Sequence, residues 1–439
     1  EVGEFSPGDP TAATADALVI NSCTVTAESD RKLRQLLRRC RRDNPGAVLV
    51  VTGCMPQAFP EQAAALTEAA IVMGNADRRA LIDRIAQHAS DRCVDIADHD
   101  GYEALSIHRF AGRTRAFVKI EDGCNRFCTY CIIPYARGRV RSRPLDDLTR
   151  ELTDLAAAGY REVVLVGINL TSYGQDCGLT ISDAVEAACA VPGIGRVRLG
   201  SLEPDHLTPE VIARLAAQKK LCPQFHLSLQ SGCDATLRRM NRHYTAAEYA
   251  TVCDRLRAAF PGCTLTTDVM VGFPGEDEDE FEQSLQFVQR IGFFKAHIFA
   301  YSRRPGTPAA KAPDQVPQKM NAARAKRMAT ACEAERDRQL AALIGSTAEV
   351  LLETRNADGL LEGYTPTYVP VYCHTFVLRY SCIPNRYPVA LLELATAVAE
   401  VRSHAVEWGM EPHNVFVLGF STGGHLAAHL GTGCQRAPL

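Results

Sequence analysis

The chain has 439 residues, of which 46% are hydrophobic and 23% are charged, and its formal net charge is −3. This composition excludes a disordered chain, and no apolar run is long enough to predict a membrane span. Seventeen cysteines without an export signal indicate a reducing compartment, so we expect a cytoplasmic protein whose thiols bind metals or pack in the core.

The first 108 residues are predicted to form an α/β domain of Rossmann-like type. Strand-like apolar runs at 17–20 and 48–51 are each followed by a helical pattern. The chain starts without an initiator methionine, so we expect either processing or truncation of this domain at its N-terminus. Basic residues are concentrated in the helical segment 31–42 and alternate along 137–143. For each segment, contact with phosphate groups and simple exposure to solvent are about equally favoured.

Residues 109–345 are predicted to form a parallel β/α barrel, complete or partial. Strand-like runs alternate with helical segments, at 116–120, 162–166, 197–199, 226–229, 264–271 and 296–299. In such barrels the loops that follow the strands carry the active site. Turn formation and helix capping are equal alternatives for the polar residues in these loops. The candidate cofactor-binding residues are Gly167, Asn169, Ser201, Glu203, Gln230 and Asp268.

Three cysteines follow the first of these strands in the pattern Cys124-x3-Cys128-x2-Cys131. Such a loop can ligate three irons of one [4Fe–4S] cube and leave the fourth iron open for a cofactor. Core packing or chance explains such a pattern in about one case in ten, and zinc would normally take a fourth protein ligand. Tyr130, beside the last cysteine, is a candidate wall against the cofactor, with ordinary packing as an equal alternative.

The C-terminal part changes character twice. Residues 346–371 have a hairpin-like pattern that predicts the start of a small, incomplete β-barrel. From residue 372 to 439 the pattern is strand, helix, strand, sharp turn and helix. The motif Gly419-Phe-Ser421-Thr-Gly423 stands at that turn, which is the setting of a hydrolase nucleophile. The last segment is therefore predicted to be a βαβα fragment of an α/β-hydrolase.

Taken in order, the motifs of residues 1–371 resemble those of the radical S-adenosylmethionine (SAM) methylthiotransferases. The resemblance rests on Asn21-Ser-Cys-Thr-Val-Thr26, Thr52-Gly-Cys54, Cys131-Ile-Ile-Pro-Tyr-Ala-Arg-Gly138, Gly167-Ile-Asn-Leu-Thr-Ser-Tyr-Gly174, Leu227-Ser-Leu-Gln-Ser-Gly232, Asp268-Val-Met-Val-Gly-Phe-Pro-Gly275 and Tyr301-Ser-Arg-Arg-Pro-Gly-Thr307. The first motif and Gly363-Tyr-Thr-Pro-Thr-Tyr-Val-Pro-Val371 are most similar to the members that modify N6-threonylcarbamoyladenosine in tRNA.

The resemblance implies an enzyme with two [4Fe–4S] clusters. Cys124, Cys128 and Cys131 would hold the SAM-binding cluster. Cys23 and Cys54 would hold an auxiliary cluster whose third cysteine has no counterpart in this sequence. In the implied reaction, one SAM methylates a sulfur at the auxiliary cluster, and another yields the radical that removes hydrogen from adenine C2, 3′ of the anticodon. The implied partners are tRNA, a reducing electron donor and a sulfur donor, with no membrane.

Two other functions stay open. A ribosomal-protein methylthiotransferase shares the core motifs and acts on a protein. Residues 374–434 resemble an acetylesterase-like hydrolase, in which Ser421 would be the nucleophile of a serine esterase. In that fold the acid and the histidine follow the serine, and His425 and His429 lie on the helix that leaves the turn. We therefore expect an inactive tail fused to a methylthiotransferase that truncation impairs.

Overall fold

The computed structural model describes residues 15–76, 78–87, 101–107, 109–110, 112–357, 359–374 and 389–408, with a few further residues between 376 and 430. The chain forms two compact units. The first runs to Glu349 and includes Thr365–Val369, and the second comprises Val350–Tyr364 and the chain from Pro370 onward. The candidate hydrolase residues Ser421, His425 and His429 lie outside the described residues.

The N-terminal lobe, residues 15–87, is a small parallel sheet with helices packed against it. Its elements are β1 (Ala17–Ser22), α1 (Ala27–Asp43), β2 (Val48–Gly53), α2 (Cys54–Ala58), α3 (Pro60–Ala64), β3 (Ile71–Val72) and α4 (Leu81–Gln87). The strand order is β1-β2-β3. Thr26 caps α1 by accepting the Ser29 N–H, and Leu33 and Leu37 bury the apolar side of the helix against Val51.

The barrel core, residues 112–345, alternates strands with helices. Its elements are β4 (Arg115–Lys119), β5 (Glu121–Asp122), α5 (Ile133–Arg137), β6 (Arg141–Ser142), α6 (Leu145–Ala157), β7 (Glu162–Val166), α7 (Ile181–Ala190), β8 (Arg196–Leu199), β9 (Ser201–Leu202), α8 (Pro209–Ala216), β10 (Gln224–Gln230), α9 (Asp234–Arg239), α10 (Ala246–Ala259), β11 (Thr264–Val271), α11 (Glu278–Ile291), β12 (Lys295–Ala300) and α12 (Gln318–Ala342). The long strands are parallel, in the orders β4-β7-β8 and β9-β10-β11-β12.

Among the described residues, an isolated bridge links Val197 of β8 to Leu221, which precedes β10, and so connects the two parallel groups of strands. Successive side chains along each strand point to opposite faces of the sheet, because the strand is pleated. On β11, Val269 and Val271 are buried in the core shared with the helices, while Asp268 and Met270 are only half-buried on the opposite face. Because all these strands point the same way, the loops after them lie at one edge. The predicted α/β fold is confirmed.

The second unit begins with a three-stranded antiparallel sheet. Its strands are β13 (Leu351–Arg355), β14 (Leu361–Tyr364) and β15 (Pro370–Cys373), in sequential order, and the helix α13 (Val389–Ser403) follows. The second strand predicted after residue 372, at 414–420 before the sharp turn, is not formed at the described residues 415–417 and 419. No helix among the described residues has the length and apolar character needed to span a bilayer.

Candidate cluster and cofactor site

The three cysteines of the triplet lie in one loop between β5 and α5. The loop turns sharply at Gly123, where a Cβ would lie 1.8 Å from the carbonyl oxygen of Arg139. The N–H of Cys124 donates to the Gly138 carbonyl at 3.0 Å, and the N–H of Cys131 donates to the Cys128 carbonyl at 2.9 Å. These two hydrogen bonds close the loop that carries the three cysteines.

The chemistry of this loop suits iron. Cys128 is buried, Cys124 and Cys131 are half-buried, and all three thiols are free. Burial raises the pKa of Cys124 to about 11 and that of Cys131 to about 12. Among the described residues, no three His, Cys, Asp or Glu side chains are already gathered in the arrangement of a metal site. Ligation must therefore turn the thiols inward and release their protons to form thiolates.

A buried arginine, Arg242, faces the cysteine loop from the segment after α9. Its Nη1 donates to Cys128 Sγ at 3.2 Å, and its Nε donates to the Tyr244 hydroxyl at 3.0 Å. Its Nη2 forms an ion pair with Glu203, and both side chains are largely buried. Burial raises the pKa of Glu203, while the nearby Arg242 opposes that rise. A positive group thus lies against a cysteine sulfur, as a cluster with anionic ligands requires.

Glu121, the first residue of β5, was missed by the sequence interpretation. Its Oε2 accepts the backbone N–H of Asn169 at 2.9 Å, and a Cβ at Gly167 would lie 2.6 Å from that oxygen. A larger residue at position 167 would therefore displace the Glu121 carboxylate. The Glu121 Oε1 is buried without a hydrogen-bond partner, and burial raises the pKa of this carboxyl to about 8. The amide nitrogen of Asn169 lies 4.0 Å from Cys124 Sγ, beside the cysteine loop.

The other candidate cofactor residues lie on β9, β10 and β11 or in the cysteine loop. Ser201 is exposed, and Gln230 has a positive φ of 68° where the register of β10 against β11 shifts. Asp268 forms an ion pair with His226, with 3.2 Å between Oδ2 and Nε2. The Tyr130 ring packs edge-on against the ring of Phe273, which lies in the loop after β11. Asn169 and Glu203 are therefore linked to the cysteine loop by contacts, whereas Asp268 is held by its neighbour on β10.

The two N-terminal cysteines lie at one edge of their sheet, because β1 and β2 pair Ser22 with Gly53. Cys23 is exposed and Cys54 is buried. The Cys54 Sγ accepts hydrogen bonds from Arg137 Nε at 3.1 Å and from Asn75 Nδ2 at 3.6 Å.

Arg137 is the last residue of α5, the helix that follows the cysteine triplet. A single short segment therefore connects the triplet to the N-terminal cysteine site.

The basic run at 137–143 is only partly exposed, because Arg139 is exposed and Arg137 is half-buried. Arg141 and Arg143 are buried, and Arg143 forms ion pairs with Asp147 and Glu151. The basic side chains of α1 are mostly exposed, although several pair with acidic neighbours, as Arg31 does with Glu28. The basic side chains of α1 and Arg139 therefore stay accessible to a polyanion, whereas Arg141 and Arg143 do not.

Comparison with known proteins places three family matches along the chain. Residues 118–288 match the Radical SAM superfamily, residues 8–74 match the uncharacterized protein family UPF0004, and residues 371–438 match the alpha/beta hydrolase fold. The radical SAM methyltransferase TsrM from Kitasatospora setae, solved with cobalamin and a [4Fe-4S] cluster, has a similar fold. The TM-score is 0.53 at 16% identity, covering 67% of this chain and 65% of that one.

Curated relatives match over most of the chain. The threonylcarbamoyladenosine tRNA methylthiotransferase MtaB of Bacillus subtilis is 37% identical over 369 residues, which is 82% of either chain. The protein of the same name from Thermotoga maritima is 35% identical over 362 residues. The tRNA-2-methylthio-N(6)-dimethylallyladenosine synthase of Pelotomaculum thermopropionicum is 36% identical over 360 residues, or 78% of this chain and 80% of that protein. With its cysteine loop and parallel β/α core, this chain belongs to the radical SAM methylthiotransferase family, whose cofactors are SAM and a [4Fe–4S] cluster.

Proposed function

We propose that this chain is a tRNA methylthiotransferase that modifies C2 of N6-threonylcarbamoyladenosine. The observation that carries the proposal is the closed loop of Cys124, Cys128 and Cys131 in a chain whose relatives of that name match over four-fifths of its length. The three cysteines would hold the SAM-binding cluster. When bound, that cluster supplies the electron that cleaves SAM into a radical.

The chain's own side chains would position the cofactor and the cluster. Asn169 and Glu203 contact the cysteine loop or its arginine partner, so we assign them to the SAM site together with Gly167. The strand residues Ser201, Gln230 and Asp268, together with Tyr130 of the cysteine loop, would line the rest of the site. Cys23 and Cys54 would contribute to the auxiliary cluster, with Arg137 holding Cys54 beside the triplet.

The domains would divide the work accordingly. Residues 1–108 would carry the sulfur-donating cluster, residues 109–345 the radical chemistry, and residues 346–371 a contribution to RNA binding. The α/β-hydrolase-like segment 372–439 has no assigned part in the reaction. The proposed partners are tRNA, a reducing electron donor and a sulfur donor, and the proposed location is the cytoplasm.

The deciding experiment is mass spectrometry of tRNA nucleosides from a bacterial host that lacks its own methylthiotransferases. Expression of this chain should produce 2-methylthio-N6-threonylcarbamoyladenosine, and Cys128→Ala should abolish it. Cys253→Ala, which removes a buried thiol within α10, is the matched control and should retain the product. The 2-methylthio derivative of dimethylallyladenosine would instead assign the substrate of the second group of relatives. A methylthiolated ribosomal protein with unmodified tRNA would support the alternative family function.

A further inference from the structure

Arg242 and Glu203 form a buried charge pair that touches the cysteine loop through one sulfur atom. We propose that this pair sets the reduction potential of the cluster held by Cys124, Cys128 and Cys131, with Arg242 raising the potential and Glu203 lowering it. The inference rests on the proposed cluster site. It assigns to two side chains a task that differs from SAM binding, namely to fix how readily the cluster accepts its electron.

The physical reason is the charge that the cluster carries. Three thiolate ligands give the cluster a net negative charge, and reduction adds one more electron to the same buried site. A positive group and an N–H donor at a ligating sulfur therefore stabilise the reduced form more than the oxidised form. The guanidinium of Arg242 provides both, because its Nη1 lies 3.2 Å from Cys128 Sγ. Burial strengthens the effect by reducing solvent screening.

The orientation of Arg242 is fixed because each of its three guanidinium nitrogens has a hydrogen-bond partner. While Nη1 faces the sulfur, Nη2 pairs with Glu203 and Nε donates to the Tyr244 hydroxyl. The Tyr244 hydroxyl in turn donates to the carbonyl of Ser228 at 2.7 Å. A planar guanidinium satisfies all these acceptors at once, which the single ammonium group of lysine cannot do. The side chain is therefore held with its charge against the sulfur.

Glu203 acts in the opposite direction. Its carboxylate neutralises part of the charge of Arg242, so the field at Cys128 is smaller than that of an unpaired arginine. Removing this negative charge should favour the reduced cluster. The two members of the pair thus make predictions of opposite sign, whereas a general loss of packing would move both variants in the same direction.

The chain offers a matched control in Arg198. This arginine is as buried as Arg242, with a side-chain exposure of 3% in both cases, and it also pairs with a buried glutamate, Glu162. It lies on β8 and donates to the carbonyls of Thr365 and Pro366, not to a cysteine. Substitution of Arg198 therefore disturbs a buried ion pair without changing the charge beside the cluster.

The test is a potentiometric titration of the full chain, reconstituted anaerobically with iron and sulfide and followed by electron paramagnetic resonance. The signal that disappears in Cys128→Ala identifies the relevant cluster. Arg242→Gln should lower the midpoint so that the reduction equilibrium shifts at least tenfold, which is about 59 mV for a one-electron couple. Arg242→Lys should lower it by less, Glu203→Gln should raise it, and Arg198→Gln should leave it unchanged.

If Arg242→Gln retains no iron, the lysine variant and Glu203→Gln decide the question, since both keep a positive charge beside Cys128. An unchanged or lowered midpoint in Glu203→Gln would overturn the proposal, as would an equal shift in the Arg198 control. A wild-type chain that takes up no iron would instead overturn the proposed function, and the present inference with it.

Discussion

The ion pair between Asp30 and Arg304 is expected to hold the N-terminal lobe in its folded position. Asp30 lies in the first turn of α1, and Arg304 lies in the loop after β12, within the core. Their closest atoms, Oδ2 and Nη1, are 2.5 Å apart, and both side chains are almost fully buried. The Thr24 hydroxyl also donates to Asp30 at 2.7 Å, and the Phe59 ring lies 4.5 Å from the guanidinium carbon.

Asp30→Ala would leave the guanidinium buried without its counter-ion. Breaking such a pair by removing one partner costs about 3–5 kcal/mol, because the remaining charge is neither solvated nor compensated. At about 1.4 kcal/mol per factor of ten, opening of the lobe should become roughly 150 to 5,000 times more frequent. Asp30→Asn should have a smaller effect, since the amide oxygen can still accept from Arg304.

Hydrogen exchange of the backbone amides in α1 measures this opening directly. Fluorescence of the single tryptophan would not serve, because Trp408 belongs to the second unit. Glu28→Ala is the control, since it breaks the solvent-exposed Glu28–Arg31 pair in the same turn of the helix and should change exchange only slightly. Acceleration of less than tenfold in Asp30→Ala would refute the assignment of this ion pair as the main attachment of α1.

Three further outcomes are expected. Alanine at Cys124, Cys128 or Cys131 should remove the cluster absorbance at about 400 nm and about four irons per chain. A variant that keeps both the absorbance and the iron would contradict the ligand assignment. Burial raises the pKa of the Glu121 carboxyl to about 8. The folded apoprotein therefore keeps this carboxyl protonated at pH values where the same carboxyl in the unfolded chain has already lost its proton. The wild type should therefore lose stability relative to Glu121→Gln as the pH rises from the ordinary pKa of 4.5 to about 8, as measured by urea midpoints, whereas parallel curves would contradict this. The tail should not hydrolyse p-nitrophenyl acetate, since a serine needs a histidine and an orienting carboxylate; turnover abolished by Ser421→Ala would show a working site.

The sequence determined the features that lie within one short stretch of chain. The cysteine triplet spans eight residues, so its spacing alone predicted a single iron-binding loop. The parallel strands were recognised because apolar runs of strand length alternate with helical periods, and β7 and β11 begin and end where the sequence placed them. The polar loops after these strands were recognised for the same reason, since parallel strands bring their carboxyl ends to one edge.

The tertiary structure decided which distant residues meet and which charges are buried. Arg242 is 114 positions from Cys128 in the sequence, and Arg137 is 83 positions from Cys54. Each arginine nevertheless donates a hydrogen bond to the sulfur of its cysteine. Arg143 belongs to a run that looks solvent-exposed in the sequence, and it is buried against Glu151. Periodicity encodes which face of an element is apolar, but it carries no information about the partner across the fold. The environment of each sulfur and each charge therefore emerges only when the strands are assembled, because burial and pairing depend on contacts between segments that the chain order separates.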